Sequence, residues 1–530
     1  MTKEFIQEGP SLKNQYEADT LLKDYLKSIF PKSEHDLLSK DLSRFGQRVV
    51  SDVLSMSERA EKNPPYLVQF NTWGKRIDEL VTDPAWDELH RVSAEEAIVK
   101  MGYERKYKER SRVAQFAKLY LFHPSSAFYS CPLAMTDGAA KLIELYAPKE
   151  LKKSFEHLTS SDPHSFWTSG QWMTERAGGS DVSHTETIAR KENGEWRLYG
   201  VKWFTSAISS QMCMALARIE NEKGEVHAGS RGLSLFYIEL KNDKNELNGI
   251  EVLRLKEKLG TKALPTAELR LIGAKATLVG SEGEGVKLIA SMFNVTRLYN
   301  SVTSLAAFRR LLTLAHDYSN KRVAFGKSIS DQPLTKRILN EADNVFSHLF
   351  FFTFFVAELF GNEEVYEHKN SLGLSKEEMG KCLRLLTPVL KLYTAKKTVI
   401  WTSELLEVFG GTGYIEDSNI PRMYRDNQVF PIWEGTTNVL SLDLLRALHK
   451  DESWGILAKL VNLELDKMKT KNIEEAQTLI VQFKELEAWY LKISLLSKEE
   501  FEFYARDLAF RIGDFIGKLA SLRISALKPN

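Results

Sequence analysis

The spacing of apolar residues divides the chain into three regions. From Leu12 to about Ser160, apolar residues recur every three or four positions, a period that predicts amphipathic helices. Between about Phe166 and Val279, short runs rich in Val, Ile, Tyr, Phe and Trp alternate apolar with polar residues, which predicts an antiparallel sheet or barrel. After Gly285 the helical period returns. The chain is therefore predicted to be an α+β protein in the order helices, strands, helices.

The second helical region contains several long segments. Five stretches share the helical period there: 286–320, 331–361, 376–410, 436–450 and, as two or three helices, 451–530. The most apolar stretch, 345–360, carries His348 and Glu358 and is shorter than the roughly 20 apolar residues that span a bilayer. We therefore expect a buried core helix there and no membrane span.

The charges of the chain nearly cancel. It has 72 Lys and Arg against 71 Asp and Glu, a formal net charge of +1. Without a global positive field, neither nucleic acid nor an anionic membrane surface is an expected partner. The three cysteines are widely spaced and form no CxxC pair, which argues against a disulfide framework and a zinc site. We expect no metal centre.

Two polar segments in the strand region carry residues suited to binding a cofactor. The first, Gln171–Val182, is a turn with two adjacent glycines, whose hydroxyls and amides suit a polar ring edge or a phosphate. The second, Lys202–Ser206, places two aromatic side chains and two hydroxyls on one strand. Taken singly, such segments are more often chain reversals and tryptophans packed inside a sheet.

Three segments in the second helical region are also candidates. Tyr318–Lys327 contains an arginine whose guanidinium fork suits a diphosphate, and Glu407–Tyr414 has two adjacent glycines that let backbone approach a ligand. Ile432–Asn438 presents Glu434 at a tight turn. Each also has a structural interpretation, because glycines end helices and an acid is favoured at a helix N-terminus.

In combination, these five segments resemble the signatures of the acyl-CoA dehydrogenase family. The polar turn is similar to TEPGAGSD, the strand to KxWI followed by Ser or Thr, and the later segments to YxxxRxxFGxxI, LGGxGY and the IYEG region. The resemblance covers roughly residues 15–450. It implies an N-terminal α-helical domain, a central antiparallel β-barrel or sheet domain, and a C-terminal four-helix bundle with an extra helical extension. The predicted domains are 1–164, 165–282, 283–450 and 451–530.

The resemblance also implies a mechanism. A bound FAD accepts a hydride from the β-carbon of a medium- or long-chain fatty acyl-CoA while a carboxylate removes the α-proton. That carboxylate is implied to be Glu434, whose own backbone N–H would bind the thioester oxygen. Some family members place the base just before the arginine of an earlier helix. The matching residue is Thr296, which cannot serve as a base.

The family further implies which residues bind the two ligands. Those implied to contact FAD are Met173, Thr174, Gly179, Ser180, Trp203, Phe204, Thr205, Ser206, Arg322, Phe325, Gln332, Phe409, Gly410, Gly411, Thr436 and Asn438. Those implied to contact acyl-CoA are Ser180, Arg297, Arg425, Trp433 and Gly435. The family's usual glutamine aligns with Pro333, so Gln332 stands one position early. Arg322 is implied to reach the flavin of a neighbouring subunit, and this implies a homotetramer built as a dimer of dimers.

The N-terminal segments resemble one branch of the family. Residues 10–19, PSLKNQYEAD, and Arg176, where the family usually has proline, are similar to the AidB-like (adaptive-response) branch. This branch leaves three functions open. The first is an acyl-CoA dehydrogenase that passes electrons to an acceptor such as an electron-transferring flavoprotein. The second is an acyl-CoA-binding regulator of fatty-acid metabolism with low turnover, and the third is a DNA-associated protective flavoprotein.

Charge and targeting signals bear on binding to DNA and on the cellular location. The balanced charge counts against binding to DNA, because neutralising phosphates requires a cationic surface. The chain shows neither an N-terminal presequence nor an SKL-type ending. A cytoplasmic location is therefore expected, with a mitochondrial one as the alternative implied by the family.

Overall fold

A computed structural model of the chain describes residues 6–450, 453–468 and 472–527. Parts of the predicted N-terminal domain and of the predicted extension, residues 1–5, 451–452, 469–471 and 528–530, lie outside the described residues. The helices of the first region are α1 (Thr20–Ile29), α2 (Lys32–Arg48), α3 (Asp52–Lys62), α4 (Pro84–Glu95), α5 (Lys100–Glu104), α6 (Ser111–Phe122), α7 (Ser130–Tyr146) and α8 (Lys152–Leu158).

One element of the first region departs from the helical prediction. β1 (Tyr66–Phe70) and β2 (Arg76–Val81) pair antiparallel as a hairpin between α3 and α4. α3 ends just before Pro64 and Pro65, because proline lacks the N–H that would continue a helix. The helical prediction is wrong over these residues because two five- to six-residue strands are too short to interrupt the period of their long helical neighbours.

The strand region forms a closed barrel. Its strands are β3 (Ser169–Trp172), β4 (Ile188–Glu192), β5 (Glu195–Ser206), β6 (Met212–Ile219), β7 (Leu233–Glu239), β8 (Ile250–Leu255) and β9 (Thr266–Val279). The pairings run from β6 through β4, β5, β9 and β7 back to β6, while β3 and β8 extend β6 and β9. The predicted barrel domain is confirmed, although β3 and β4 run parallel to β6. Alternation indicates which face of a strand is buried, but not the direction of its neighbour.

Apolar side chains from every part of this barrel fill its interior. Trp172, Leu198, Phe236 and Leu269 are almost completely buried in one cluster. Burying side chains of this size stabilises a fold by about 1.5–3 kcal/mol each. The barrel therefore provides a rigid support for the segments that follow β3 and that lie on β5.

The second helical region matches its prediction closely. The helices and the intervening hairpin strands are α9 (Gly285–Lys321), β10 (Val323–Ala324), β11 (Lys327–Ser328), α10 (Pro333–Glu364), α11 (Lys376–Glu407), α12 (Ile420–Asn427) and α13 (Thr437–Lys450). Pro333 occupies the first turn of α10. The side chain of Ser375 accepts from the backbone N–H of Glu378 and the carboxylate of Glu378 accepts from Ser375, which completes a capping box on α11. The predicted long helices are confirmed.

The apolar helix α10 is a core element. By length and composition alone it is long and apolar enough to cross a bilayer, but 78% of its most apolar window is buried inside the protein. Phe350 and Phe354 are buried, and Phe350 packs edge-on against Tyr25 at 5.7 Å. The expectation of a buried core helix is confirmed.

The predicted C-terminal extension consists of helices, as expected: α14 (Ser453–Met468), α15 (Ile473–Ser494) and α16 (Lys498–Leu527). α16 packs against α10 and α13. Arg523 of α16 donates two hydrogen bonds to the buried carboxylate of Glu358 on α10, at 2.8 and 2.9 Å, and Tyr25 donates a third at 2.6 Å. The charge that interrupts the apolar stretch of α10 is thus neutralised by the extension.

The chain divides into two compact units. The barrel unit comprises Asp52–Glu104 and Ser125–Tyr299. The helical unit comprises the described residues of Met1–Ser51, Arg105–Pro124 and Asn300–Asn530. Within the helical unit, Phe308 of α9 packs against Phe346 of α10 and stacks on Trp401 of α11.

Candidate active site

The turn that follows β3 is fixed to β5 within the barrel unit. Met173 is buried and Thr174 is half-buried. The carbonyl oxygen of Thr174 accepts a hydrogen bond from the backbone N–H of Trp203 at 3.0 Å. A Cβ on Gly179 would lie 3.0 Å from Cγ2 of Thr174, so glycine lets the turn fold back closely. Ser180, the next residue, is exposed.

A buried ion pair holds this turn in place. Nζ of Lys202 donates to Oε1 of Glu175 at 2.6 Å and to the carbonyl oxygen of Leu216 at 2.9 Å. The carboxylate of Glu175 also accepts from the hydroxyl and backbone N–H of Thr187. Burial alone would raise the pKa of Glu175, but the charge of Lys202 and these hydrogen bonds outweigh it and lower that pKa below its usual value. These contacts therefore favour the ionised carboxylate of Glu175.

Two aromatic side chains of β5 carry cations on their faces. The guanidinium of Arg176 lies 4.6 Å from the ring centroid of Trp203, and Nζ of Lys256 lies 3.5 Å from the same centroid. Phe204 is 56% exposed. Arg176, the residue that replaces the family's proline, is thus used in a cation–π contact.

The two hydroxyls at the end of β5 face different partners. Oγ1 of Thr205 is buried and donates to the carbonyl oxygen of Ala267 at 2.7 Å. Oγ of Ser206 lies 3.2 Å from Oγ1 of Thr266, and either atom can donate. The hydroxyl proton of Thr205 is therefore used inside the barrel, while Ser206 has rotational freedom to serve a ligand.

One buried polar atom next to the turn supports a flavin at this place. Within the described residues, Oε1 of Gln171, near the end of β3, is buried and has no hydrogen-bond partner. An acceptor in that state costs about 1–3 kcal/mol. The isoalloxazine ring and ribityl chain of FAD offer N–H and O–H donors, and the exposed ring of Phe204 offers apolar surface. The residues of the turn after β3 and of β5 therefore have the chemistry to hold a flavin.

The candidate base stands on a strained turn in the helical unit. Glu434 has a φ of +55° and Gly435 a φ of +102°, so two successive residues are left-handed between α12 and α13. A non-glycine residue in this region costs of order 1–3 kcal/mol, and such strain is typical of functional sites. Glu434 is half-buried, as is Trp433 before it. Gly435 is required here because a Cβ would lie 2.8 Å from Cδ2 of Leu440.

The residues after this turn begin α13. Thr436 and Asn438 are both exposed, and Oδ1 of Asn438 accepts from Arg506 at 3.4 Å. The carbonyl oxygen of Thr436 accepts the backbone N–H of Leu440 at 2.9 Å and so starts the helix. The side chains predicted to contact FAD at these two positions are therefore open to a ligand.

The residue at the competing position for the base is a buried threonine, which has no carboxylate. Thr296 is 2% exposed, and its hydroxyl donates to the carbonyl oxygen of Phe293 at 3.4 Å. The guanidinium of the following residue, Arg297, lies 5.5 Å from the ring centroid of Phe293. Arg425, the other arginine predicted to bind CoA, donates to the largely exposed Glu416 at 2.9 Å. A CoA phosphate at Arg425 would therefore have to compete with a carboxylate.

The hairpin between α9 and α10 presents an aromatic residue to solvent. Phe325 is 97% exposed and has a φ of +52°, and with Gly326 it forms the turn between β10 and β11. Nη1 of Arg322 donates to Oε1 of Gln7 at 3.1 Å. Nε2 of Gln332 donates to the carbonyl oxygen of Ala324 at 3.2 Å, which ties the start of α10 to the hairpin.

The glycine turn after α11 is open on one side. Phe409 is buried and lies 5.3 Å from the ring of Tyr318. Gly410 has a φ of +55°, and a Cβ on either Gly410 or Gly411 would meet no atom within 4 Å. The backbone here is accessible to a ligand, whereas the side chain of Phe409 supports the turn from inside.

The predicted site residues form separate groups within each unit. The barrel unit brings together the turn at Met173–Ser180 and the strand at Trp203–Ser206. The helical unit holds Glu434 with its flanking residues, the hairpin and the glycine turn. Sequence reasoning missed three features that depend on tertiary contacts: the unpartnered Gln171, the Glu175–Lys202 pair, and Lys391, whose Nζ reaches the carbonyl oxygen of Gly435 at 2.5 Å.

Comparisons with protein-family models cover most of the chain. Residues 9–162 match the adaptive response protein AidB N-terminal domain, residues 170–273 match the acyl-CoA dehydrogenase middle domain, and residues 283–449 match the acyl-CoA dehydrogenase C-terminal domain. The three matches follow the order of helices, barrel and helices.

Individual relatives agree with these matches. Acyl-CoA dehydrogenase family member 11 of Caenorhabditis elegans is 42% identical over 524 residues, which are 96% of this chain and 84% of that protein. Putative acyl-CoA dehydrogenase AidB of Escherichia coli strain K12 is 31% identical over 420 residues, which are 77% of this chain and 74% of that protein. The crystal structure of C. elegans ACDH-11 in complex with C11-CoA matches with a TM-score of 0.93 and 40% identity, over 99% of this chain and 92% of that one.

Proposed function

Because the chain belongs to the acyl-CoA dehydrogenase family, we propose that it catalyses the FAD-dependent α,β-dehydrogenation of a medium-chain fatty acyl-CoA, with Glu434 as the base. The observation that carries this proposal is the left-handed turn at Glu434 and Gly435, which exposes part of a carboxylate on a strained backbone. The choice of a medium chain is supported by the similarity to ACDH-11, whose structure is a complex with C11-CoA. The proposal also covers an acyl-CoA with a longer acyl chain.

Each residue has a defined task in this reaction. Glu434 takes the α-proton, and the electron pair of the broken C–H bond moves toward the thioester carbonyl. The backbone N–H of Glu434 donates to the thioester oxygen, where negative charge accumulates. FAD, when bound, supplies the acceptor for the hydride that leaves the β-carbon. Thr174, Trp203 and Phe204 would hold the flavin ring.

The proposal includes the assembly. A homotetramer would let Arg322 reach the diphosphate of a partner's FAD, and the exposed Phe325 on the same hairpin supports an occupant at this surface. An electron-transferring flavoprotein is the acceptor that the family implies for the electrons.

The test follows the colour of the flavin. The purified wild type is mixed anaerobically with a straight-chain acyl-CoA series, and the absorbance of the oxidised flavin is recorded for wild type, Glu434→Gln and Glu485→Gln. Glu485 is an exposed residue of α15 and serves as the matched control. We expect bleaching by the wild type and the control, and loss of bleaching by about 10³-fold or more in Glu434→Gln, because removing one essential proton acceptor costs this order of rate.

Other outcomes would favour the alternatives. Binding of acyl-CoA to the wild type without bleaching would contradict the dehydrogenase and favour a binding regulator. A colourless protein that also fails to take up added FAD would contradict the flavin assignment. A duplex shift that weakens with salt would favour the DNA-associated function.

A further inference from the structure

A lysine is buried beside the turn that carries the candidate base. Lys391 lies on α11 and has an exposed fraction of 0%. Its Nζ donates to the carbonyl oxygen of Gly435 at 2.5 Å. Lysines are almost never fully buried unless they are paired, because removing an ammonium group from water costs several kcal/mol. The position of Lys391 is therefore specified by what its ammonium group holds.

One group that it holds is the carbonyl of Gly435, which belongs to a strained turn. Both Glu434 and Gly435 are left-handed, and this orients the carbonyl of Gly435 toward α11. For L-residues the left-handed region costs roughly 1–2 kcal/mol, so Glu434 returns to an ordinary backbone conformation unless neighbouring contacts oppose it. A charge-assisted hydrogen bond is about twice as strong as a neutral one and can supply such opposition.

Other hydrogen bonds fix the flanks of the turn. The carbonyl oxygen of Val429 accepts from the backbone N–H groups of Ile432 and Trp433, and that of Thr436 accepts from Leu440. These bonds fix the turn that follows α12 and the start of α13. The bond from Lys391 acts between the two flanks, on the residue that directly follows the base.

We propose that Lys391 is a positioning residue for Glu434. By holding the Gly435 carbonyl, it keeps the Glu434 carboxylate and the Glu434 N–H in the orientation from which one removes the α-proton and the other binds the thioester oxygen. This inference rests on the proposed function of Glu434. A displacement of about 1 Å at a reacting group can reduce a rate by about 10²-fold, so loss of the bond should affect the chemical step more than substrate binding.

The test replaces the ammonium group and keeps the buried stem. Lys391→Met, with Lys391→Gln as a second variant, is compared with Lys381→Met, a partly exposed lysine of the same helix that pairs with Glu377. We expect both Lys391 variants to keep FAD and a nearly unchanged KM while kcat falls about 10²-fold. Lys381→Met should behave as the wild type.

A substrate analogue isolates the removal of the α-proton. A 3-thia-acyl-CoA can lose its α-proton but has no hydride on the sulfur at the β-position, so its long-wavelength charge-transfer band with oxidised flavin reports deprotonation alone. We expect this band in the wild type and in Lys381→Met, and a much weaker band at saturating analogue in Lys391→Met. Equal bands and equal kcat in all three proteins would overturn the proposal.

A crystal structure of Lys391→Met gives a readout that does not depend on turnover. The proposal requires that the carbonyl of Gly435 rotates or that Glu434 leaves the left-handed region, and an unchanged turn would overturn it even if the rate falls. Should the wild type fail to bleach with any acyl-CoA, the proposed function fails, while this structural comparison still decides the role of Lys391. If neither Lys391 variant folds, its role is structural and the proposal is overturned.

Discussion

Nζ of Lys202 lies 2.6 Å from Oε1 of Glu175, and the two side chains are 0% and 2% exposed. The pair joins the turn after β3 to β5, the two segments of the barrel unit that the family resemblance assigns to the flavin. A buried ion pair adds little net stability compared with apolar residues, but its geometry is specific. Its place between these two segments indicates that it holds one against the other.

Replacing Lys202 with Met should destabilise the protein strongly. The change leaves the carboxylate of Glu175 buried without its cation, and breaking such a pair costs about 3–5 kcal/mol. The control is Lys275→Met, because both side chains of its pair with Glu195 are exposed, 58% and 41%, and exposed pairs contribute little to stability. Urea unfolding of the three proteins measures the difference. Equal losses in both variants would show that the buried pair has no special role.

Replacing Gly435 with Ala should impair turnover. The new Cβ would meet Cδ2 of Leu440 at 2.8 Å and would be held at a φ of +102°, so the turn must shift and move Glu434. Gly380→Ala on α11 is the control, because its Cβ would meet nothing within 4 Å and helical alanine is preferred by roughly 0.5–1 kcal/mol. Stopped-flow measurements should show slower flavin reduction in Gly435→Ala and a wild-type rate in Gly380→Ala. Thermal unfolding compares the stability of the two variants. A Gly435→Ala protein with the wild-type rate would mean that the turn tolerates the change.

His123 should contribute to acid sensitivity. Burial, together with the charges of Arg310 and Arg422, lowers its pKa from 6.5 to about 3. The folded protein keeps this histidine neutral, whereas the unfolded chain takes up a proton below pH 6.5. The free energy of unfolding therefore falls as the pH falls from 6.5 toward 3, by up to about 1.4 kcal/mol per pH unit from this residue.

The measurement is the slope of unfolding free energy against pH. His123→Phe should show a shallower slope than the wild type, and His184→Gln, whose side chain is 68% exposed, should keep the wild-type slope. Identical slopes in wild type and His123→Phe would contradict the assigned pKa.

Arg322→Met should lower FAD content without dissociating the subunits, because the arginine is proposed to bind the diphosphate of a partner's flavin. Arg337→Met, a 73% exposed residue of α10, should keep FAD. As the protein is diluted, flavin fluorescence measures the release of FAD and sedimentation measures the dissociation of the subunits. In the wild type, the two should occur together. Monomers that retain FAD would refute the proposal of a shared site.

The long helices and the barrel could be predicted because their periods extend over many residues. α10 and α11 each run for 32 residues, so a few exceptions do not hide the period. The hairpin of β1 and β2 could not be separated from its helical surroundings by the same argument. The parallel pairing of β3 with β6 depends on the path of the chain between them, which alternation does not encode.

The same distinction between local features and contacts with distant residues applies to the candidate site. Glu434 and the glycine turn belong to local segments, and local segments can be recognised from the sequence. Lys391 is separated from Gly435 by 44 positions, and Lys202 from Glu175 by 27, so neither partner can be read from its neighbours. In each case the local sequence shows only a lysine among apolar neighbours, and it does not indicate which residue that lysine contacts.

The division of the chain into units also determines which unit is complete first during synthesis. Every residue of the barrel unit has been made once Tyr299 is added, but the helical unit also requires Asn300–Asn530. Gln15 of the N-terminal segment accepts its hydrogen bond from Arg309, 294 positions later. On a translating ribosome, α1 therefore emerges early, but its contacts with α10 and α16 form only after those helices have been made. The first helix to be made is thus among the last to be fully buried, and its apolar face stays exposed during synthesis.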